Sequence, residues 1–329
     1  MSNNSIMRIE TWKGDWGIPS IDYECLQALA LIKFSNAPVQ NKQTNNPFWS
    51  SKNTLPIFRH DTTIVYDFNE IQNYLKKQGF DCDAHLNKIE QAEITAYINL
   101  IKFKLEPALN YVWWLDERNY TELFRKWYAK ALPFPLNYYY PGYYEGIAKN
   151  YVDAMFPDVD KKDVIETSLF GEAEKCITTL SSRLGSSKYM FGNTPTSLDA
   201  AIYGHLAPLL KAPLLSTFLQ NHLKACSNLE GYIDRITKEW FRVDEDFTKP
   251  TTPKPKPNPS AKSSAEEDFP HATRNKLLAS IIATVAMLGY AVIHGMLPVS
   301  LKATKLTLNT VVTSTQHFLQ SKNLYSSLR

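Results

Sequence analysis

The chain has 329 residues, is 44% hydrophobic, and carries 36 Lys+Arg against 33 Asp+Glu, a formal net charge of +3. That length suits roughly two domains of ~150 residues, and so small a charge gives no reason to expect a nucleic-acid partner. The 12 glycines admit neither GxGxxG nor GxxxxGK[ST], which excludes the dinucleotide fingerprint and the P-loop, and the four cysteines (Cys25, Cys82, Cys176, Cys226) never reach a CxxC spacing.

The opening MSNNSIMRIE has no basic region leading into an apolar run, so no secretory signal is expected. Ile6, Ile9 and Trp12 are too irregular for a helix, and residues 5–12, closed by GDWG, predict a strand. Ser20 is placed to cap a helix with Ile21, Cys25, Ala28, Leu29 and Ile32 at helical spacing. Pro38-Val39 reads as an edge strand, and residues 55–58 and 63–66 as two short strands joined across His60-Asp61. Asp67-Phe68-Asn69-Glu70 has capping-box spacing and opens a helix that ends at Gly79. The order β-α-β-loop-β-β-α predicts a thioredoxin-like layer over residues 1–80.

Residues 84–240 show no strand alternation and predict an all-helical domain. Ile89, Ala92, Ala96, Leu100 and Phe103 form one stripe, and Val164, Ser168, Ala173, Cys176, Leu180 and Leu184 another, stopped by Gly185. Thr196 with Asp199, and Ser227 with Glu230, have the spacing of two more capping boxes. Thirteen aromatic residues fall within the 39 residues 113–151, more than one helical stripe can bury. From that band, Trp127, Tyr128, Phe134, Tyr138, Tyr139 and Tyr143 are candidate interface residues, because aromatic side chains anchor interfaces at small entropic cost.

Residues 241–276 lose their apolar density to prolines and charges, and read as a disordered tether. Residues 277–297 follow, inside a stretch without Asp, Glu, Lys or Arg from Lys276 to Lys302. At ~1.5 Å per residue a helix of that length reaches across a hydrocarbon core of ~30 Å. Leu277, Ile281, Val285, Leu288, Val292 and Leu297 are the expected membrane-anchor residues, and residues 298–329 form a basic tail.

No catalytic constellation stands out. The seven histidines have no HxH or HxxxH spacing, so no metal site is predicted. Asp116-Glu117 and the Glu172/Glu174 pair read as solvated helix faces. Asp81 and Asp83 read the same way, and both would raise the pKa of Cys82 between them.

A thioredoxin-like layer followed by a helical domain resembles the glutathione transferases, with LPIF (residues 55–58) similar to the strand that starts at a cis-proline and TPTSLDAAIYGHLAPLL similar to the core helix of the second domain. A closer resemblance, over nearly the whole chain, is to the metaxin family, in particular its members with a C-terminal anchor. WKGDWGIPSID (12–22), NTLP (53–56), RKWYAKALPFPLNYYYPG (125–142) and LSSRLGSSKYMFGNTPTSLDA (180–200) carry it. The resemblance implies an α+β, transferase-like fold with a single C-terminal transmembrane helix, held at the mitochondrial outer membrane with the bulk of the chain facing the cytosol. It implies a non-enzymatic subunit of the import and sorting/assembly machinery that aids β-barrel insertion. The expected partners are a second metaxin-type subunit and the β-barrel insertase, and no cofactor is expected. The alternative is a membrane-tethered, glutathione-dependent transferase using Ser20, the only hydroxyl at the first strand-to-helix turn. Glutathione binding is disfavoured, because Tyr66-Asp67 stands where the transferases place an acid and a serine for the tripeptide's γ-glutamyl end.

Overall fold

The computed structural model describes residues 6–159 and 161–241, together with Leu277, Ser280, Ile281, Ala283, Thr284 and Met287 of a further helical segment. The chain divides into two compact units, Met1–Pro270 and His271–Arg329.

The first unit begins with a four-stranded mixed sheet in the order β2-β1-β3-β4. Strand β1 (Met7–Thr11) buries Met7, Ile9 and Thr11 on one face, as a period of two requires. It runs parallel to β2 (Val39–Gln43), with Met7 opposite Val39, and antiparallel to β3 (Ile57–His60), with Ile9 opposite Phe58. A hairpin connects β3 to β4 (Thr63–Val65). The parallel pair needs a crossover, supplied by helix α1 (Tyr23–Phe34). This helix is apolar nearly all round, because it is covered on both sides by the core. Helix α2 (Phe68–Lys77) starts at Asp67, whose carboxylate accepts the Asn69 amide, and Gly79 beyond its end takes a φ of +87°. The Leu55-Pro56 peptide is cis.

The helical part runs through α3 (Lys88–Leu100), α4 (Glu106–Asn110), α5 (Glu117–Asn119) and α6 (Arg125–Ala131). Short π-helical segments, Ile101–Leu105, Tyr111–Leu115 and Tyr120–Phe124, link these four. Then come α7 (Leu136–Met155), α8 (Lys162–Leu184), α9 (Ser197–Lys211), α10 (Phe218–Ala225) and α11 (Ser227–Trp240). Helix α9 is the axis of the core, buried without interruption from Ser197 to Leu210. Its first turn is built on Asp199, whose carboxylate accepts the Thr196 amide and hydroxyl, the Met190 amide and the Tyr232 hydroxyl.

The predicted elements need several corrections. The cap of α1 is Asp22, whose carboxylate accepts the Cys25 amide; Ser20 lies two residues earlier, fully buried, with its Oγ accepting the Asp22 amide. Strand β2 is longer than Pro38-Val39 and polar, since an edge strand can leave most of its side chains in water. The stripe through Ala92 and Ala96 is the wrong face, with Ile89 80% and Phe103 61% exposed. Ile94, Ile101 and Leu105 are buried instead, because they remove more apolar area from water than two alanines. In α8, Val164 is exposed and Ile165, Leu169 and Phe170 take its place in the core. Ser227 is the first residue of α11, not its cap; the neighbouring Asn228 instead donates to the Ser181 and Gly185 carbonyls at the end of α8. Asp83 is not solvated: it is buried and accepts the amide and hydroxyl of Ser197. Among the described residues, no helix is long and apolar enough to cross a membrane. The expected anchor falls mostly outside them: Leu277 and Ile281 are helical and exposed, while Val285, Leu288, Val292 and Leu297 lie outside the described residues.

Candidate functional site

The N-terminus of α1 meets the helical part at a cleft of two adjoining lobes, about 230 and 260 Å³, which share Tyr23, Glu24, Thr54 and Glu106 as walls. Three local features place these four residues. Asp22 ends the extended segment before α1 and so presents Tyr23 and Glu24 from its first turn. Thr54 stands just before the cis Leu55-Pro56 bond, and Glu106 opens α4 directly after a π-helical segment, a feature often found at sites.

The first lobe is acidic. Burial, reinforced by Asp22, Glu106 and Asp67, pushes the Glu24 carboxyl up to about 8. Burial also lifts Asp22 to about 6, against the Cys25 amide, and raises Glu106 against the pull of the Tyr23 hydroxyl, which donates to it at 3.3 Å. Lys52 and Lys102 are the cations of this wall; the Lys52 ammonium lies 5.5 Å from the centre of the Tyr66 ring. His205 of α9 closes the floor, its ring 4.9 Å from that of Tyr23. Its Nδ1 lies 2.7 Å from the Ala201 carbonyl and therefore carries the proton, while Nε2 is buried with no partner. Burial lowers this imidazole to about 4, so it is neutral at pH 7.

The second lobe is aromatic. Trp12, Trp114, Tyr128 and Tyr144 pack at centroid distances of 4.9 to 6.4 Å, and Ile147 and Tyr151 of α7 line the outer wall. Such contacts hold the wall rigid and add to area burial.

The aromatic band therefore splits. Tyr128 is core, 2% exposed, and is withdrawn as an interface residue: its ring is enclosed by Trp12, Trp114 and Tyr144. Trp127 is half-buried and donates its indole N–H to Asp15 at 2.9 Å, pinning the GDWG loop to the helical part. Phe134 is half-buried beside Tyr138, their rings 6.1 Å apart. Tyr139 is 60% exposed and stacks on the half-buried Tyr143. In α7, Tyr139, Tyr143, Ile147, Tyr151 and Met155 recur every four residues, an apolar stripe of which all but Tyr143 are exposed.

The transferase expectations fare poorly. Ser20 is fully buried, its Oγ accepts the Asp22 amide, and it is not among the residues that line the cleft. Tyr66 and Asp67 do line the cleft, and Asp67 is occupied as the cap of α2. The two carboxylates of glutathione would meet Glu24, Glu106 and Asp67 in the first lobe, with Lys52 and Lys102 as the cations on its wall. Burial pushes the Cys25 and Cys82 thiols up, so neither is an activated nucleophile. Among the described residues, no group of His, Cys, Asp or Glu is placed to hold a metal ion. Sequence reasoning missed Glu24, Glu106 and His205 as neighbours, because nothing local links residues so far apart in the chain.

Metaxin-1 from Mus musculus is 36% identical over 299 residues, covering 89% of this chain and 92% of the relative. The chain belongs to the metaxin family. Metaxin-3 from Xenopus laevis is 37% identical over 73% of this chain and 78% of its own, and a metaxin-1 homologue from Drosophila melanogaster 34% identical over 86% and 88%. Residues 25–145 match a protein-family model described as an outer mitochondrial membrane transport complex protein, and residues 173–236 match the C-terminal domain of glutathione S-transferases. Among solved structures, a beta-etherase from a Sphingobium strain covers 71% of this chain and 98% of its own at 12% identity and a TM-score of 0.48. A glutathione transferase from Populus trichocarpa covers 73% and 98% at 14% identity and a TM-score of 0.45. The chain has a transferase-like α+β fold, a mixed N-terminal sheet followed by helices.

Proposed function

We propose that the chain is a non-catalytic subunit of the protein import and sorting/assembly machinery of the mitochondrial outer membrane. It faces the cytosol, is held by residues 277–297, and aids β-barrel insertion through protein contacts. Membership of the metaxin family supports this, as does the match of residues 25–145 to an outer-membrane transport complex family. The observation that carries it is the stripe on α7. Tyr139, Ile147, Tyr151 and Met155 expose one apolar ridge, the kind of patch that marks a protein contact when it stays uncovered. A second metaxin-type subunit is the partner assigned to this ridge, with the β-barrel insertase in the same complex.

Co-purification from mild-detergent extracts of mitochondria tests the reading. The full chain should retain both partners. Tyr139→Ser combined with Met155→Ser, both outside the cleft, should release the second transferase-like subunit while leaving thermal stability unchanged. Truncation before Leu277 should detach the protein from the membrane. An intact complex with the serine variant moves the contact elsewhere, and a full chain that retains neither partner ends the import assignment.

A further inference from the structure

The acidic lobe has the inverse chemistry of an anion site. Glu24 projects from the first turn of α1 and Glu106 from the first turn of α4, with Asp22 behind them and Asp67 across the cavity. Lys52 draws Glu24 down and Lys102 draws Glu106 down, but neither offsets the opposing effect of burial, and both carboxyls stay above their ordinary values. Partly buried carboxyls gathered in one wall and only partly offset by two lysines are relieved when a further positive group joins them.

A second observation points the same way. His205 is 4% exposed, forms part of the cavity floor, and spends its only proton on the Ala201 carbonyl. Its Nε2 is thereby an acceptor with no donor, and buried polar atoms of this kind ordinarily have partners. The atom to satisfy it must be an N–H or O–H. The adjoining lobe adds size and polarity limits: Trp114, Tyr144, Ile147 and Tyr151 offer an aromatic and aliphatic wall beside the carboxyls. A ligand that fills both lobes has a hydrogen-bond-donating cation at one end and an apolar body at the other, within the ~300–1,000 Å³ usual for such sites.

We propose that this cleft is a binding site for an ammonium or guanidinium group attached to an apolar body, seated between Glu24 and Glu106 over His205. A lysine or arginine beside an apolar residue in an extended peptide has this chemistry, and so does a free alkylamine. Arrival of the cation favours the ionised form of Glu24, so a proton leaves the site on binding.

Isothermal titration of the full-length protein tests this with four probes: N-acetylated, amidated Leu-Lys-Phe, the same peptide with glutamine for lysine, n-hexylamine and glutathione. The lysine peptide should bind at least about tenfold more tightly than the glutamine peptide, and Glu24→Gln and Glu106→Gln should each remove that preference. The binding enthalpy should differ between phosphate and Tris buffers, reporting the released proton. Ile89→Ser, at an exposed position of α3 outside the cleft, should bind as the parent does. Hexylamine equal to the lysine peptide identifies a free amine as sufficient, and a lysine peptide that binds where hexylamine does not identifies a polypeptide ligand. Equal binding of the two peptides, preference for glutathione, or no binding of any probe overturns the proposal.

Discussion

Gly204 of α9 touches α1 at Gln27 so closely that a Cβ built on it would stand 2.5 Å from the Gln27 Cβ and 2.7 Å from its backbone nitrogen. The contacts are with the Gln27 Cβ and backbone, whose positions no rotamer change alters. In an exposed helix, alanine in place of glycine gains about 1 kcal/mol. Here the sign reverses, and Gly204→Ala should cost roughly 1–3 kcal/mol by forcing the helices apart. Urea unfolding with an unchanged m-value measures it. Because α1 carries Glu24 and α9 carries His205, the same substitution should widen the cleft; a variant as stable as the parent would show that the two helices separate freely.

The Asp199 network gives a graded comparison. Its carboxylate is fully buried and accepts from Thr196 twice, from Met190 and from Tyr232, at 2.7 to 2.9 Å. Asp199→Ala strands several buried donors at once and should cost at least ~3 kcal/mol, whereas Tyr232→Phe removes one donor from a charged acceptor and should cost about 1.5–3 kcal/mol. Thermal melts followed by circular dichroism rank the two. Equal losses would mean that Tyr232 alone holds the turn.

How much of this was legible beforehand depended on whether the signal was local. Thr196 with Asp199 closes the box before α9 as the spacing predicts, whereas Asp67 caps α2 through the Asn69 amide and Glu70 accepts the Tyr66 amide, so the reciprocal half of that box is not made. Ser20 failed because two cap-forming residues stand two apart, and only the turn geometry decides that Asp22 takes the Cys25 amide. The stripe on α3 failed because both faces carry apolar residues; which one packs is decided by α9 and by the helix after Leu100, not by α3 itself. The aromatic band was visible as an excess, but its division into an enclosed box around Tyr128 and an exposed ridge on α7 follows from tertiary packing. Glu24, Glu106 and His205 belong to three separate helices and had no sequence signature as a group.

Ser20→Ala separates the two readings of that hydroxyl. If its Oγ only supports the turn by accepting the Asp22 amide at 3.3 Å, the variant should lose about 0.5–1.5 kcal/mol and co-purify with the same partners as the parent. A stability-neutral variant that abolished a thiol-conjugating activity would instead revive the transferase reading.

The pH dependence of stability follows from the Glu24 carboxyl. In the unfolded chain it titrates near ~4.3, and in the folded protein near 8, because burial and the neighbouring Asp22, Glu106 and Asp67 disfavour the ionised form. Between those values the native state holds a proton that the unfolded chain has released. Stability should therefore be greatest below pH ~4.5 as far as this group is concerned, fall as pH rises towards 8, and level off above. Asp22, at about 6, adds a shorter fall of the same sign. Glu24→Gln cannot ionise and should match the parent at pH 5 but exceed it by on the order of 2 kcal/mol at pH 8.5. Melting temperatures of both proteins across pH 5–9 decide it, and parallel curves would sink the assignment. A cation seated beside Glu24 favours the charged carboxylate, so a saturating amine should restore much of the parent's stability at pH 8.5 and leave the glutamine variant nearly unmoved.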